Sequence, residues 1–466
     1  MAKSEVLGEL ARRATARLPD EAQEQARMHL FDALAAALAG AATREGGNTA
    51  RHLAALTAAH GPAPASADIV LALARRIRAT EMDDLQLESV TTAAAAVVPA
   101  LIGALAVRAG HGAARSPGRG GTPGMDEALS ALGAGYDVMF TLGLAAGGPA
   151  FLYGRGGWPS LVGAGPAAAA TAGRVLGLDA GAIAHAIALA LLSTPRSVRG
   201  SGEDGRWLSF GLAVTAGFQA ALAAAAGARG DTGLLAGDSP PGETARLFAG
   251  IGEVMEQPWA PGLGLAKAHF KRWASAGQVA AAIDAAGTLQ DRLGFTADEV
   301  TAVDVHVPPA YRQMIDQPTG TGRLWSLLSA QYQIAVRLLC PGDLFDCARP
   351  VLRDSPGFER VMRAVRVHDA DSLDAMHPHS YPARAELTLA NGTVADFLSQ
   401  GRSPAPTWSW DAVLGKALAA ASHTGSGATV ERIREATNRS ADSQELLQLA
   451  EHLITEHKPA GGGIRG

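Results

Sequence analysis

The chain has 466 residues, 47% of them hydrophobic, and a formal net charge of −5. At roughly 100–200 residues per domain, this length predicts two or three domains. The mildly acidic balance gives no reason to expect nucleic acid or an anionic membrane as partner. Lysine is scarce, with five (Lys3, Lys267, Lys271, Lys416 and Lys458) against 35 arginines, so any lysine kept in this arginine-rich background is a candidate for a specific role. Cys340 and Cys347 make neither a disulfide framework nor a zinc site; they read as ordinary thiols in a reducing compartment. Glu5, Glu9, Arg12 and Arg13 argue against a secretory signal, so a cytoplasmic location is expected.

In chain order, residues 5–18 and 20–41 carry apolar positions at three- and four-residue spacing, with Pro19-Asp20 as a helix start. Residues 91–108 follow the same pattern, with a kink expected at Pro99. A Gly-rich surface loop is expected at 109–124. Residues 161–177, 179–193 and 207–228 predict Ala-rich helices, the second capped by Asp179. Ser209 to Ala228 is uncharged, but its Ala, Gly and Gln content suits a lipid span poorly; a buried helix with close neighbours is expected. The Gly-rich connection 196–206 carries Arg199, Glu203, Asp204 and Arg206.

The pattern changes near residue 266. Val300 to Val307 alternates as a strand does, and Val361 to His368 is a second candidate. Ala383 to Ala390 and Thr393 to Phe397 flank Asn391-Gly392, a two-residue hairpin signal. Helices are expected at 276–293 and 324–339. After Pro404 and Pro406 the helical pattern returns at 410–421, 428–437 and 442–457. The reading is a mainly α protein: a discontinuous all-helical domain (1–265 and 407–466) with an inserted, smaller α+β domain (266–406).

An ordered set of segments resembles the MmgE/PrpD family. Leu18-Pro19-Asp20, Phe31-Asp32-Ala33-Leu34 and Ala39-Gly40 look like its opening helices. Asp83-Asp84, Leu87 to Thr91 and Val97 to Leu101 are similar to its first active-site segment. Gly157-Trp158-Pro159-Ser160 sits where the family has a Gly-His-Pro-Thr-like turn. Lys271-Arg272-Trp273 with Ile283 to Ala286, Ala330-Gln331-Tyr332 and Pro382-Ala383-Arg384 resemble elements of its lid. The resemblance spans nearly the whole chain; no single motif is specific, and the ordered set carries it. It implies a helical domain with an α+β lid, a homodimer, and a ligand cleft between the domains, where a generic argument also places one. It further implies a lyase without metal or organic cofactor that dehydrates, decarboxylates or epimerises small di- and tricarboxylates.

The departures bear on chemistry. Thr92, Trp158 and Ala280 stand where the family usually has histidine, Leu85-Gln86 replaces a polar start, and Arg206 replaces a lysine. Imidazole takes and gives a proton near neutral pH; threonine, tryptophan and alanine do not. Candidate catalytic groups are therefore Lys271, which unlike arginine can lose its proton when buried, and Asp84 with Glu88, which would share one face of a helix. Tyr153 and Tyr332 are candidate phenolic donors. Candidate substrate-binding groups are Arg155, Arg199 and Arg206, whose guanidinium forks clamp carboxylates and which sit in Gly-rich turns, with Trp158 as a pocket wall and Thr92, Gln86 and His269 beside it. Each has a plainer reading as a surface charge or satisfied core group. His377 and His379 lack an evident third metal ligand, and no Gly-rich stretch ends as a phosphate loop does.

Three functions stay open at this point: a lyase acting on a small carboxylate, a diverged isomerase or cyclising enzyme on a non-citrate substrate of specialised metabolism, and a non-catalytic binding protein.

Overall fold

The computed structural model describes residues 5–60, 65–110, 122–194, 202–236, 242–351, 356–401, 408–438 and 443–455. The chain divides into two compact units, Met1–Ala268 with Trp410–Gly466 (unit 1) and His269–Ser409 (unit 2).

Unit 1 is helical. Its elements are α1 (Val6–Thr15), α2 (Asp20–Gly40), α3 (Arg44–His60), α4 (Ser66–Ala79), a short strand β1 (Asp84–Gln86), α5 (Ala94–Arg108), α6 (Met125–Ala145), a π-helical turn (Ala150–Gly154), α7 (Pro159–Val175), α8 (Ala180–Leu192), α9 (Gly202–Ala225) and three short helices, α10 (Glu243–Leu247), α11 (Ile251–Glu256) and α12 (Leu263–Ala266). The expected cap of α8 is present: Ala182 N–H donates to Asp179 Oδ1 at 2.8 Å. All 17 residues of α7 are buried, and α5, α6, α8 and α9 pack on it. Small side chains make this possible. A Cβ on Gly217 of α9 would lie 1.9 Å from the Gly165 carbonyl oxygen of α7, a spacing that only glycine permits.

Two helices are long and apolar enough to cross a membrane by length and composition, Met125–Ala145 and Asp204–Ala225; the apolar windows are 94% and 50% buried, respectively. The first passes the test as a core helix of a globular unit does. The second corrects in part the expectation of a buried helix with close neighbours: it approaches α7 closely at Gly217, but one face is open, with Leu212 50% exposed. Much of the anticipated loop 109–124 lies outside the described residues.

Unit 2 contains α13 (Ala280–Leu293), β2 (Val300–Val307), α14 (Pro309–Ile315), α15 (Gly322–Leu328), α16 (Ala330–Leu339), α17 (Pro356–Ala364), β3 (Val365–Asp369), β4 (Ala383–Leu389) and β5 (Val394–Ser399). The strands form one sheet in the order β3-β2-β4-β5. β2 runs parallel to β3, with Val303 opposite Val365, and antiparallel to β4, with Asp304 opposite Glu386. The Asn391-Gly392 signal marks the β4–β5 turn, where Gly392 takes φ +85°. Val303, Val305 and Val307 are buried and Asp304 and His306 between them are half-buried, the alternation a half-buried strand requires; Thr301, in step with these valines, is exposed instead, at a register shift between Val300 and Ala302.

Two element readings are corrected. The strand expected from Val361 is helical to Ala364 and extended only from Val365, because Phe358, Val361 and Met362 are buried at helical spacing. The single helix expected at 324–339 is two, because Ser329 breaks it and caps α16, accepting from Tyr332 N–H at 3.1 Å. The chain then re-enters unit 1 as α18 (Trp410–Ser422), α19 (Gly427–Asn438) and α20 (Ser443–Thr455). Mainly α architecture with a smaller α+β unit is therefore the observed fold class.

Candidate functional site

The segment from Glu81 to Thr92 is the most constrained stretch of unit 1. Asp83, Asp84, Gln86, Ser89 and Thr91 are fully buried. Glu81 and Val90 adopt left-handed backbone, with φ of +52° and +55°. For a β-branched residue this conformation is a genuine outlier, and such strain, on the order of 1–3 kcal/mol each, persists where surrounding contacts impose it.

Those contacts are specific. Gln86 Nε2 donates to Gly264 O at 2.6 Å, and Thr91 Oγ1 donates to Gln86 Oε1 at 2.5 Å. Ser160, one residue into α7, accepts from Thr92 N–H at 3.2 Å and donates to Val90 O at 3.3 Å. Gly264 is itself fixed by Asp137, whose carboxylate accepts the Gly262 and Gly264 N–H groups at 2.9 and 2.7 Å. Burial pushes the Asp137 carboxyl up to about 7 despite these bonds.

At the start of the segment, Arg78 pairs with Glu81 at 2.8 Å and with Asp83 at 3.0 Å. Burial alone would lower the Arg78 guanidinium; Asp83 and Glu81 outweigh it and hold it above its usual range. Against this ion cluster stands an aromatic one. The Arg206 guanidinium lies 4.0 Å from the Trp158 ring centre and 5.3 Å from that of Trp207; Arg78 lies 5.6 and 5.4 Å from the same rings. Phe210 backs Trp158 at 5.5 Å. Arg206 Nε is buried and has no hydrogen-bond partner among the described residues. Burial lowers the Arg206 guanidinium to about 10, with Glu81 opposing the shift. Arg206 is half-buried, and a partly desolvated guanidinium stacked on indole with an unbonded donor is equipped to take a carboxylate.

The expected site residues are distributed as follows. Asp84 and Glu88 do not share a helix face: Asp84 opens β1 and Glu88 lies in the turn after it. The local cause is the backbone pairing of Gln86 with Thr91, whose N–H groups and carbonyls exchange hydrogen bonds at 2.7 and 3.3 Å and close 87–90 as a turn after the extended 84–86. Asp84 is fully buried, whereas Glu88 is half-buried and pairs with Lys267 at 2.8 Å. Gln86 and Thr92 spend their polar atoms on the network just described. Arg206 is on α9 rather than in a turn. Trp158 is buried immediately before α7 and walls the Arg206 side. Tyr153 is half-buried in the π-helical turn; Arg155, at its end, is exposed, lies 4.9 Å from the Phe151 ring centre and donates to Ala146 O. Arg199 lies outside the described residues.

Tyr332, Lys271 and His269 belong to unit 2. Tyr332 is buried between Trp325 and Phe358, ring centres 5.4 and 5.3 Å away, and its hydroxyl donates to Pro350 O at 3.4 Å. That is the environment of a packing tyrosine. Lys271 is 8% exposed and His269 half-buried. No group of three or more His, Cys, Asp or Glu side chains among the described residues is placed to hold a metal ion.

Sequence reasoning missed Arg78, Glu81 and Trp207, since none belongs to a recognisable spacing. It also missed a second buried group: His29 and Asp32 on α2, Tyr136 on α6 and Lys416 on α18. Lys416 carried a usable signal, being one of only five lysines.

Two family profiles match this chain: the MmgE/PrpD N-terminal domain over residues 10–250 and the MmgE/PrpD C-terminal domain over residues 273–442. No individual curated protein matched it. The family is known for dehydratases and other lyase-type enzymes. With both of its domains matched in order along nearly the whole sequence, the chain belongs to the MmgE/PrpD family.

Proposed function

We propose that this protein is a cofactor-independent lyase acting on a small carboxylate-bearing acid: in a dehydration the proton beside a carboxylate is removed as hydroxide leaves the adjacent carbon and departs as water, and in a decarboxylation carbon dioxide leaves and a proton is delivered to the carbon that bore it. The observation that carries the reading is Arg206, a half-buried arginine whose guanidinium stacks on Trp158 and whose buried Nε is unbonded among the described residues. In this reading Arg206 takes the substrate carboxylate and stabilises the enolate-like charge that develops on it. Glu81, which Arg78 orients and whose charge acts on Arg206, is the candidate base. The pair of family matches supports the reaction class. Lys271, in unit 2, is retained as a candidate acid or base.

The test is turnover of a panel of small di- and tricarboxylates, cis-aconitate and methylcitrate among them, followed by NMR with wild type, Arg206→Ala and Glu81→Gln. Turnover lost in either variant supports the proposal. No turnover on any acid, together with equal acid binding by wild type and Arg206→Ala, overturns it.

A further inference from the structure

The chain lacks imidazole at Thr92, Trp158 and Ala280, yet one histidine is fully buried beside the acidic segment. His29, on α2, is 1% exposed, and its Nδ1 lies 3.4 Å from Asp84 Oδ2. The other Asp84 oxygen accepts the Ala94 N–H at 3.1 Å, at the first turn of α5. Tyr136 of α6 places its ring edge against the imidazole, centres 5.4 Å apart. One turn along α2, Asp32 is bound by Lys416 of α18, with Nζ–O distances of 2.7 and 2.9 Å. Lys416 also donates to Met82 O at 2.6 Å.

Charge counting makes His29 more than a filler. Four buried carboxylates lie in this region: Asp32, Glu81, Asp83 and Asp84. Lys416 is taken by Asp32, and Arg78 by Glu81 and Asp83. Arg206 has its electrostatic partner in Glu81. Among the described residues, His29 is the basic group within ion-pair reach of Asp84. A carboxylate buried without a counter-charge is strongly unfavourable. The titratable groups buried on the elements packed on α2 are otherwise engaged: on α4, Asp68 accepts the Ala65 N–H, Arg75 meets His52, Arg76 donates to the Leu453 and Ile454 carbonyls and Arg78 pairs with Glu81 and Asp83; on α6, Asp137 accepts the Gly262 and Gly264 N–H groups beside the neutral Tyr136; on α18, Lys416 binds Asp32; α5, α12, α19 and α20 bury no titratable side chain among the described residues. Burial would push the Asp84 carboxyl up, and the contacts with His29, Tyr136 and Ala94 N–H hold it below its usual range.

We propose that a protonated His29 is the counter-charge of Asp84 in a buried ion pair, so that His29 is a positioning residue acting through Asp84 to hold the start of α5 and the strained 81–92 segment. Its role in turnover rests on the lyase reading; the ion pair does not. Full-length protein labelled with 13C and 15N in histidine would be followed by NMR at pH 7.5. The His29 ring is recognised by its absence from His29→Gln or, if that variant does not fold, as an N–H persisting in heavy water. The expected result is a ring protonated on both nitrogens, losing one proton in Asp84→Asn. A singly protonated ring at pH 7.5 in the wild type overturns the proposal. A double-mutant cycle reads the same coupling: His29→Gln raises the unfolded population at least 30-fold, but changes it less than 3-fold in an Asp84→Asn background. Equal effects in both backgrounds overturn it. An inactive acid panel with a doubly protonated ring would remove the lyase reading and leave this pair standing.

Discussion

Replacing Lys416 with methionine tests how the returning helix α18 is held to the first half of the chain. Methionine keeps most of the aliphatic stem and removes the ammonium. The structure then loses two contacts to Asp32, at 2.7 and 2.9 Å, and one to the Met82 carbonyl at 2.6 Å. Both side chains are nearly inaccessible, at 4% and 3% exposure, so water does not replace the ammonium. Removing one partner of a buried pair costs about 3–5 kcal/mol, because the other charge is left uncompensated. At 1.4 kcal/mol per decade, that is roughly two to four decades in the unfolded population. Asp32 limits the loss by taking up a proton, which its burial already favours. Urea unfolding followed by circular dichroism at 222 nm, with wild type, Lys416→Met and Asp32→Leu/Lys416→Met, separates charge from packing. The single variant should unfold at clearly lower urea, and the double variant should recover most of the difference, since removing both charges leaves neither uncompensated. A cost below about 1 kcal/mol for Lys416→Met would refute the argument that this pair is desolvated.

Three further outcomes are expected. Arg206→Ala should weaken binding of a small carboxylate such as citrate by roughly 10- to 150-fold, the worth of about 1.5–3 kcal/mol for hydrogen bonds to a charged group; isothermal titration calorimetry reads it, and unchanged affinity removes Arg206 from the site. Asp137 has a folded-state pKa raised to about 7, so its stability contribution is fully present below its unfolded pKa and disappears as pH rises through 7. The ceiling is on the order of 4 kcal/mol. The melting temperature should therefore fall more between pH 5 and 8 in wild type than in Asp137→Asn; parallel profiles would show that the carboxyl does not titrate there. Gln86→Leu leaves the Gly264 carbonyl and Thr91 hydroxyl without this partner in a buried site, at about 1–3 kcal/mol, measured as a lower urea midpoint than wild type.

The helical half was legible because its evidence is local. Residues 20–40 and 159–175 repeat small and apolar side chains at helical spacing, and Asp179 precedes a helix it caps. The β4–β5 hairpin was legible for the same reason, since Asn391-Gly392 is a turn whose geometry two residues dictate. The break at Ser329 was not, because Ala330 to Leu339 continues the apolar rhythm and only the capping bond separates the two helices. The acidic segment misled for a related reason. Asp84 and Glu88 have helical spacing, but Gln86 pairs with Thr91 through backbone hydrogen bonds that fold 87–90 into a turn, with Val90 left-handed and its carbonyl bound by Ser160 of α7.

The amino-acid sequence by itself determined the periodicities, the turn signals and the ordered segments that mark the family, all of which are properties of neighbours in the chain. Tertiary structure alone decided which charges meet. His29 and Asp84 are 55 positions apart, Asp32 and Lys416 are 384 apart, and Arg206 reaches Trp158 from another helix. A buried charge finds its counter-charge through packing of the whole unit, and no spacing within the chain encodes that distance.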